Sequence, residues 1–230
     1  MTLSTHPMTI SDIPRTIAIE SAGFASTPIR SSLWPCGISS TAITQLIAQD
    51  THDLQTKQNI TWLCIRDASL NNEVIAVAKW RLEDSQSYET KKKAPFSTSP
   101  PEGMCKEVRE AYSRALAGKL RDVMGSGEFW HLGTLVTDPQ HERKGAGRML
   151  VEWGCRRADA EGRKCSLHAT PGAKKLYLAC GFEVVSETEI DMRPYGGDAT
   201  VLATTMMRKP GHGNTIGLQK VDDRGAKTTG

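Results

Sequence analysis

Between Phe129 and Glu161 the chain passes from a strand-like stretch through Asp138-Pro139 into a polar turn, Gln140 to Gly147, and then into an amphipathic helix carrying Met149, Leu150, Trp153 and Ala158. Gly145-Ala146-Gly147 stands where strand gives way to helix, with Arg143, Lys144 and Arg148 around it. At such a junction the first backbone N–H groups of the helix have no partner within it, and its dipole favours negative charge. Glycines let a ligand approach the backbone closely, so the turn reads as an anion site. Two phosphate patterns are excluded. GxxxxGK[ST] is absent, and GxGxxG would need glycine at Leu150.

The rest of the chain places this junction in one mixed α/β domain. Ser11-Asp12-Ile13-Pro14 has a capping residue and an early proline, and begins a helix whose apolar stripe is read as Ile13, Ile17, Ala18, Ser21 and Ala22. A second helix is expected from Thr41 to Asp53. Ile60–Arg66 and Val74–Leu82 are strand-like and flank Asn71-Asn72, an antiparallel hairpin. Residues 83–103 are polar, with Lys91 to Lys93 and three prolines, and read as an exposed loop. A helix over Lys106–Val123 leads to the strand Phe129–Thr137. After the long helix come a strand Lys164–Ala169, Pro171-Gly172, a short helix Ala173–Cys180, and strands at Phe182–Ser186 and about Ala199–Arg208. Residues 1–208 are thus expected to be one domain, and 209–230, rich in Gly and Lys, a disordered tail.

Composition narrows the function classes. The formal net charge of +3 in 230 residues does not indicate a dedicated nucleic-acid binder. No apolar run approaches the roughly 20 residues that span a bilayer, and no cationic-then-apolar leader opens the chain. The six cysteines show no CxxC spacing and the six histidines no HExxH, so reduced thiols and no metal are expected. The expected location is cytoplasmic, with the nucleus also open.

The order of strand, Asp-Pro, basic turn, GxG, long helix, strand, Thr-Pro-Gly-Ala, short helix with Tyr177, and Gly-Phe resembles the GNAT family of acyl-CoA-dependent N-acyltransferases, in particular its small fungal single-domain members. The matching text is HLGTLVTDPQHERKGAGRMLVEWGCRRADAEG followed by LHATPGAKKLYLACGFEVV; Ala76 to Leu82 resembles the family's third strand. The resemblance implies a mixed, splayed central sheet flanked by helices, with acyl-CoA entering the splay. It implies that the backbone of Leu135, Val136 and Thr137 holds the pantetheine arm and that Arg143, Lys144, Gly145, Ala146, Gly147 and Arg148 wrap the pyrophosphate. Thr170 would lie beside the pantetheine, and Tyr177 would protonate the leaving thiolate. Three positions depart from the family pattern: Glu142 where Gln or Arg is usual, His141 where tyrosine is common, and Thr170 where asparagine is common.

The expected reaction is acetyl transfer from acetyl-CoA to a primary amine by direct attack on the thioester. An alkyl ammonium of pKa about 10 must first lose a proton. No Asp or Glu lies between Phe129 and Thr137, which leaves His131 as first candidate base, His168 as second, and ordered water as the alternative. Cys155 and Cys165 have basic neighbours, Arg156, Arg157 and Lys164, that would lower a thiol pKa, but direct transfer is preferred to an acyl-cysteine. Trp34, beside Pro35, is the candidate for lining the acceptor pocket. The acceptor is expected to be a small-molecule amine, with a protein amine open; residues 24–40, 83–103 and 188–199 would choose it and carry no signature. The rival readings are another acyl-CoA, an alcohol acceptor, or a non-catalytic acyl-CoA-binding module.

Overall fold

The computed structural model describes residues 2–84, 99–197 and 200–211. Its centre is one sheet of seven strands in the order β1-β2-β3-β4-β5-β7-β6. In chain order these are β1 (Leu3–Pro7), β2 (Ile60–Asp67), β3 (Glu73–Asp84), β4 (Glu128–Thr137), β5 (Lys164–Ala169), β6 (Glu183–Asp191) and β7 (Thr200–Arg208). Among the described residues six α-helices accompany them: α1 (Ile13–Gly23), α2 (Pro28–Leu33), α3 (Ser40–Thr56), α4 (Lys106–Met124), α5 (Ala146–Ala160) and α6 (Lys174–Ala179). Neighbouring strands are antiparallel except β4 and β5, which run parallel. A parallel pair needs a crossover, and α5 supplies it.

The hairpin forms as its sequence requires. Asn71 and Asn72 both take positive φ, 54° and 60°, a conformation asparagine tolerates. Alternation along β3 then sends Ala78 and Trp80 to one face, against Leu150, Val151 and Ala158 of α5 and Tyr177 of α6. Val77 goes to the other face, with Trp62, Val136 and Ile19 of α1. On that second face α4 packs through Val108 on Ile190, Val201 and Ala203 of β6 and β7, where Ile29 and Leu33 of α2 join it.

The N-terminal residues, for which the sequence suggests no element, form an edge strand, β1, paired with β2 from Leu3↔Asp67 to Pro7↔Leu63. Several expectations are corrected. Glu83 and Asp84 belong to β3, opposite Phe129 and Glu128, and not to a loop. β6 continues past Ser186 to Asp191. On α1 the buried residues are Ile13, Thr16, Ile17 and Ile19, whereas Ala18 and Ala22 face solvent. Gly211, assigned to the tail, donates its N–H to Asp159 Oδ1 at 2.7 Å. The remainder of the expected loop and tail, residues 85–98 and 212–230, lies outside the described residues. No helix among the described residues is long and apolar enough to cross a membrane.

Candidate active site

The opening in the sheet can be read from its register. β4 and β5 are partners from Phe129↔Lys164 to Leu132↔Leu167 and no further. β4 nevertheless runs on to Thr137 and β5 to Ala169, so a wedge opens between them. On its other side β4 stays bonded to β3, from Lys79↔Thr134 to Ala76↔Thr137. In an antiparallel pair alternate backbone groups point away from the partner, so Leu135, Val136 and Thr137 turn part of their N–H and C=O complement into the wedge. Gly133 is the extra residue of a bulge, since Trp80 pairs with Leu132 and Lys79 with Thr134. A glycine inside a strand pattern is the sequence signal for such a bulge, and it went unread.

The turn at the wedge's far end is anchored through Asp138. Its Oδ1 accepts from the Gln140 N–H at 2.9 Å, its Oδ2 from Arg15 Nη2 at 2.6 Å, and its own N–H reaches Ile75 O at 2.8 Å. Burial works to raise the Asp138 pKa, but the Gln140 N–H and the Arg15 guanidinium outweigh it and hold it below the usual carboxylate range. Arg143 takes φ 61° and Gly145 φ 90°, a left-handed bend that glycine accepts without strain. Gly145 caps α5 with no side-chain hydrogen bond, so no capping side chain occupies the N–H groups of the first turn, Ala146 and Gly147 among them. Gly147 sits close to Thr137 Oγ1 and Leu176, which ties the helix start to the end of β4. Arg143, Lys144 and Glu142 are exposed. Arg148 is engaged elsewhere, its Nε 2.7 Å from Glu152 Oε1 one turn along the helix. Lys144 Nζ lies 3.1 Å from His141 Nδ1.

On the face away from α5 the two candidate bases come together. His131 is 7% exposed, with Nδ1 3.0 Å from Ser166 Oγ. His168 has Nδ1 3.2 Å from Thr205 Oγ1 and a buried Nε2 that finds no partner among the described residues. Their ring centroids are 5.5 Å apart. Burial lowers the His168 pKa to about 4. Ser166 and Thr205 were not foreseen; they reach the histidines through strand register, which local sequence does not display. Beside them a second unforeseen group fills the space under α1 and α3. Lys79 Nζ stands 2.9 Å from Glu20 Oε1, 2.7 Å from Asp50 Oδ2 and 4.5 Å from the Trp62 ring centroid. Burial acts to lower the Lys79 pKa, but the two carboxylates prevail and raise it. A lysine inside the apolar run Val74–Leu82 was the available signal.

Tyr177 approaches from the opposite face, in the cluster that holds Leu132 and Ala169. It is 5% exposed, packs edge-on to Phe182 with centroids 6.0 Å apart, and makes no side-chain hydrogen bond among the described residues. Burial, with the Cys180 charge adding to it, pushes its pKa well up, so the phenol stays protonated. Thr170 follows directly on β5, and its carbonyl accepts from the Ala173 N–H at 3.1 Å. Trp34 is a packed residue at the end of α2, 6% exposed, with Arg30 5.9 Å from its ring centroid.

All six cysteines are free thiols. The Cys155 pKa is lowered, chiefly by a hydrogen bond from Cys165 and then by Arg208, after burial has worked against it. Arg156, Arg157 and Lys164 are not among the causes, which corrects the expectation from sequence. Among the described residues no cluster of metal-ligating side chains is found.

Comparison with known proteins follows from this geometry. The structure superposes on a protein of Corynebacterium glutamicum described as histone acetyltransferase HPA2 and related acetyltransferase, at 20% identity and TM-score 0.58, covering 94% of this chain and all of that one. It also superposes on the Drosophila melanogaster polyamine N-acetyltransferase that forms N-acetylagmatine, at 13% identity and TM-score 0.63, covering 90% of this chain and 100% of that one. A third neighbour is the PaiA N-acetyltransferase of Thermoplasma acidophilum in complex with coenzyme A, at 12% identity and TM-score 0.51, covering 91% and 99%. At these identities the likeness is one of fold. No curated protein matches the chain by sequence. The family model for acetyltransferases of the GNAT type matches residues 28–182, more than half of the chain. With the wedge, the uncapped basic turn and the strand order all agreeing with that match, the chain belongs to the acetyltransferase (GNAT) family.

Proposed function

We propose that the protein is an acetyl-CoA-dependent N-acetyltransferase that acts on a primary amine of a small molecule. The observation that carries this reading is the parting of β4 from β5 beyond Leu132 and Leu167, with the uncapped start of α5 close to the end of β4 at Thr137. A wedge of free strand edge ending at unpaired N–H groups suits a ligand with an amide-bearing arm at one end and a diphosphate at the other. Leu135, Val136 and Thr137 would pair with the pantetheine as a strand would, with Thr170 on the facing edge. Ala146, Gly147 and the basic side chains of Arg143 and Lys144 would meet the phosphates, with Arg148 secondary because Glu152 holds it. Acetyl-CoA supplies an acetyl group activated as its thioester.

The chain's own groups then manage two protons on opposite faces of the wedge. On one face His131 accepts the proton that the ammonium must lose, and Ser166 fixes its ring. His168, with a pKa near 4, stays neutral at physiological pH. The amine nitrogen would form its bond to the acetyl carbon as the carbon–sulfur bond breaks, and would then lose its second proton to solvent to leave the neutral amide, the Tyr177 phenol being restored from solvent after it has protonated the sulfur. On the other face Tyr177 gives its proton to the departing sulfur. Its burial prevents loss of that proton to solvent beforehand. Trp34 would form part of the acceptor wall, and one catalytic domain is supported by the single seven-stranded sheet.

The test is Tyr177→Phe. Removing a general acid lowers turnover by about 10²-fold or more. Among the described residues the hydroxyl has no hydrogen bond to lose, so the stabilisation by acetyl-CoA in a thermal melt should match wild type. Turnover within a factor of three of wild type removes Tyr177 from the mechanism.

A further inference from the structure

The reading above leaves the acceptor's chemistry open, and one side chain beside the bulge narrows it. Arg81 lies on β3 opposite His131, on the face away from α5 and therefore away from the basic turn. Its guanidinium rests on Gly133. A β-carbon built on that glycine would stand 2.5 Å from Nη2, 3.0 Å from Nε and 3.1 Å from Cζ. The missing side chain at the bulge is thus what seats the guanidinium at the point where the wedge opens.

The other charges on this face are already engaged. Lys79 is shared by Glu20 and Asp50. Arg30 lies over Trp34 and feels the charge of Glu20. Glu83 is 2% exposed and has interactions of its own. Arg81 differs from these. Its side chain is 41% exposed, and its ion contact among the described residues is Glu83 Oε1 at 3.9 Å, too far for a hydrogen bond. A guanidinium presents parallel N–H donors in a planar fork that matches a carboxylate, at about 2.8 Å when charge-assisted. Held on the bulge, that fork lies on the same face of the sheet as His131, its register partner on β4.

We infer that Arg81 binds a carboxylate carried next to the acceptor's amine, so that the acceptor is an amino acid and not a decarboxylated amine. This inference rests on the amine-acetylation reading. Arg81 fixes the carboxylate; the neighbouring amine, one carbon away, is thereby held beside His131 and the bulge. A polyamine or an arylalkylamine would instead bring its own positive charge next to this guanidinium, with no carboxylate for the fork to hold. Arg81 is a specificity-determining residue in this account and takes no proton.

The experiment compares each standard amino acid with its decarboxylated counterpart, among them arginine with agmatine, tyrosine with tyramine and lysine with cadaverine. Thiol release from acetyl-CoA gives kcat/KM for wild type, Arg81→Gln and Arg81→Lys, and thermal melts with acetyl-CoA are run on all three. Wild type should favour the amino acid in at least one pair. Arg81→Gln should lower that preference by about 10- to 100-fold, the worth of hydrogen bonds to a charged group. Arg81→Lys, which keeps the charge but loses the fork, should fall between them, and the shift with acetyl-CoA should be the same in all three. A wild-type preference for the decarboxylated amine in every pair overturns the inference. So does an equal loss for both members of a pair in Arg81→Gln, an acetyl-CoA shift lost in that variant, or no turnover of any amino acid by a protein that binds acetyl-CoA. No shift with acetyl-CoA in wild type is a different failure: it overturns the acetyltransferase reading, and this inference with it.

Discussion

Gly154 stands midway along α5 with its Cα against the indole of Trp80. A β-carbon built there would lie 2.6 Å from Trp80 Cδ2 and overlap Cε2 and Cζ2 still more. Carbon atoms in good contact need about 3.5 Å or more, so Gly154→Ala forces α5 and β3 apart by about 1 Å. Trp80 cannot yield: it is 0% exposed, and its indole N–H donates to the Leu150 carbonyl at 3.1 Å. Overpacking of this kind costs about 1–3 kcal/mol, and the enclosed ring places Gly154→Ala at the upper end. For a chain of this size each kcal/mol moves Tm by about 2–4 °C, so a fall of about 6–12 °C is expected. Thermal melts of wild type, Gly154→Ala, Trp80→Leu and the double variant decide it. The smaller residue at position 80 makes room, so the double variant should be more stable than the sum of the single losses by about 1 kcal/mol or more. Because α5 begins at the basic turn, Gly154→Ala should also weaken acetyl-CoA binding. A single variant within about 1 °C of wild type, or strict additivity in the double, refutes the packing argument.

Three further outcomes are expected. Arg208 is 2% exposed and holds both oxygens of Asp159, at 2.7 and 2.8 Å; Asp159→Asn should cost about 3 kcal/mol in urea unfolding, because a buried guanidinium loses its counter-charge. His168 has a folded pKa of about 4, below the ordinary value of 6.5, so the unfolded chain takes up the proton first. Its contribution is complete above pH 6.5 and is lost as pH falls toward 4, by about 3 kcal/mol in all; urea midpoints across that range should fall more steeply for wild type than for His168→Gln, and equal slopes would contradict the assignment. At the turn, Arg143→Ala and Lys144→Ala should each weaken acetyl-CoA binding several-fold by calorimetry, whereas Arg148→Ala should weaken it less, since its guanidinium is held by Glu152.

What the sequence displayed was local. Asp138-Pro139, the glycines of the turn, Gly162 and Gly181 punctuate the chain between residues 129 and 186, and each marks an end that the fold respects. β1 escaped notice because Leu-Ser-Thr-His-Pro is a half-exposed edge strand with no apolar alternation. The extension of β6 through Glu187, Glu189 and Asp191 was hidden for a related reason, since an edge strand can carry charge on its solvent side. α2 has only six residues, too few for a periodic stripe. In the candidate site, the place of the turn between β4 and α5 and of Tyr177 on a short helix could be read from their order along the chain. The Ser166–His131 and Thr205–His168 pairs, and the seat of Arg81 on Gly133, depend on which strands lie side by side. That is set by register across 35, 37 and 52 positions of sequence, and no local pattern encodes it.

The central claim is that the wedge between β4 and β5, with the turn at its end, takes acetyl-CoA. The most direct measurement is a thermal melt of the purified protein with acetyl-CoA at about 100 times its Kd, with NAD and ATP as controls. Saturation at that level adds about 2.7 kcal/mol, a rise in Tm on the order of 5–10 °C. The account predicts that rise with acetyl-CoA and none with the controls. No shift with acetyl-CoA, or an equal shift with ATP or NAD, contradicts it.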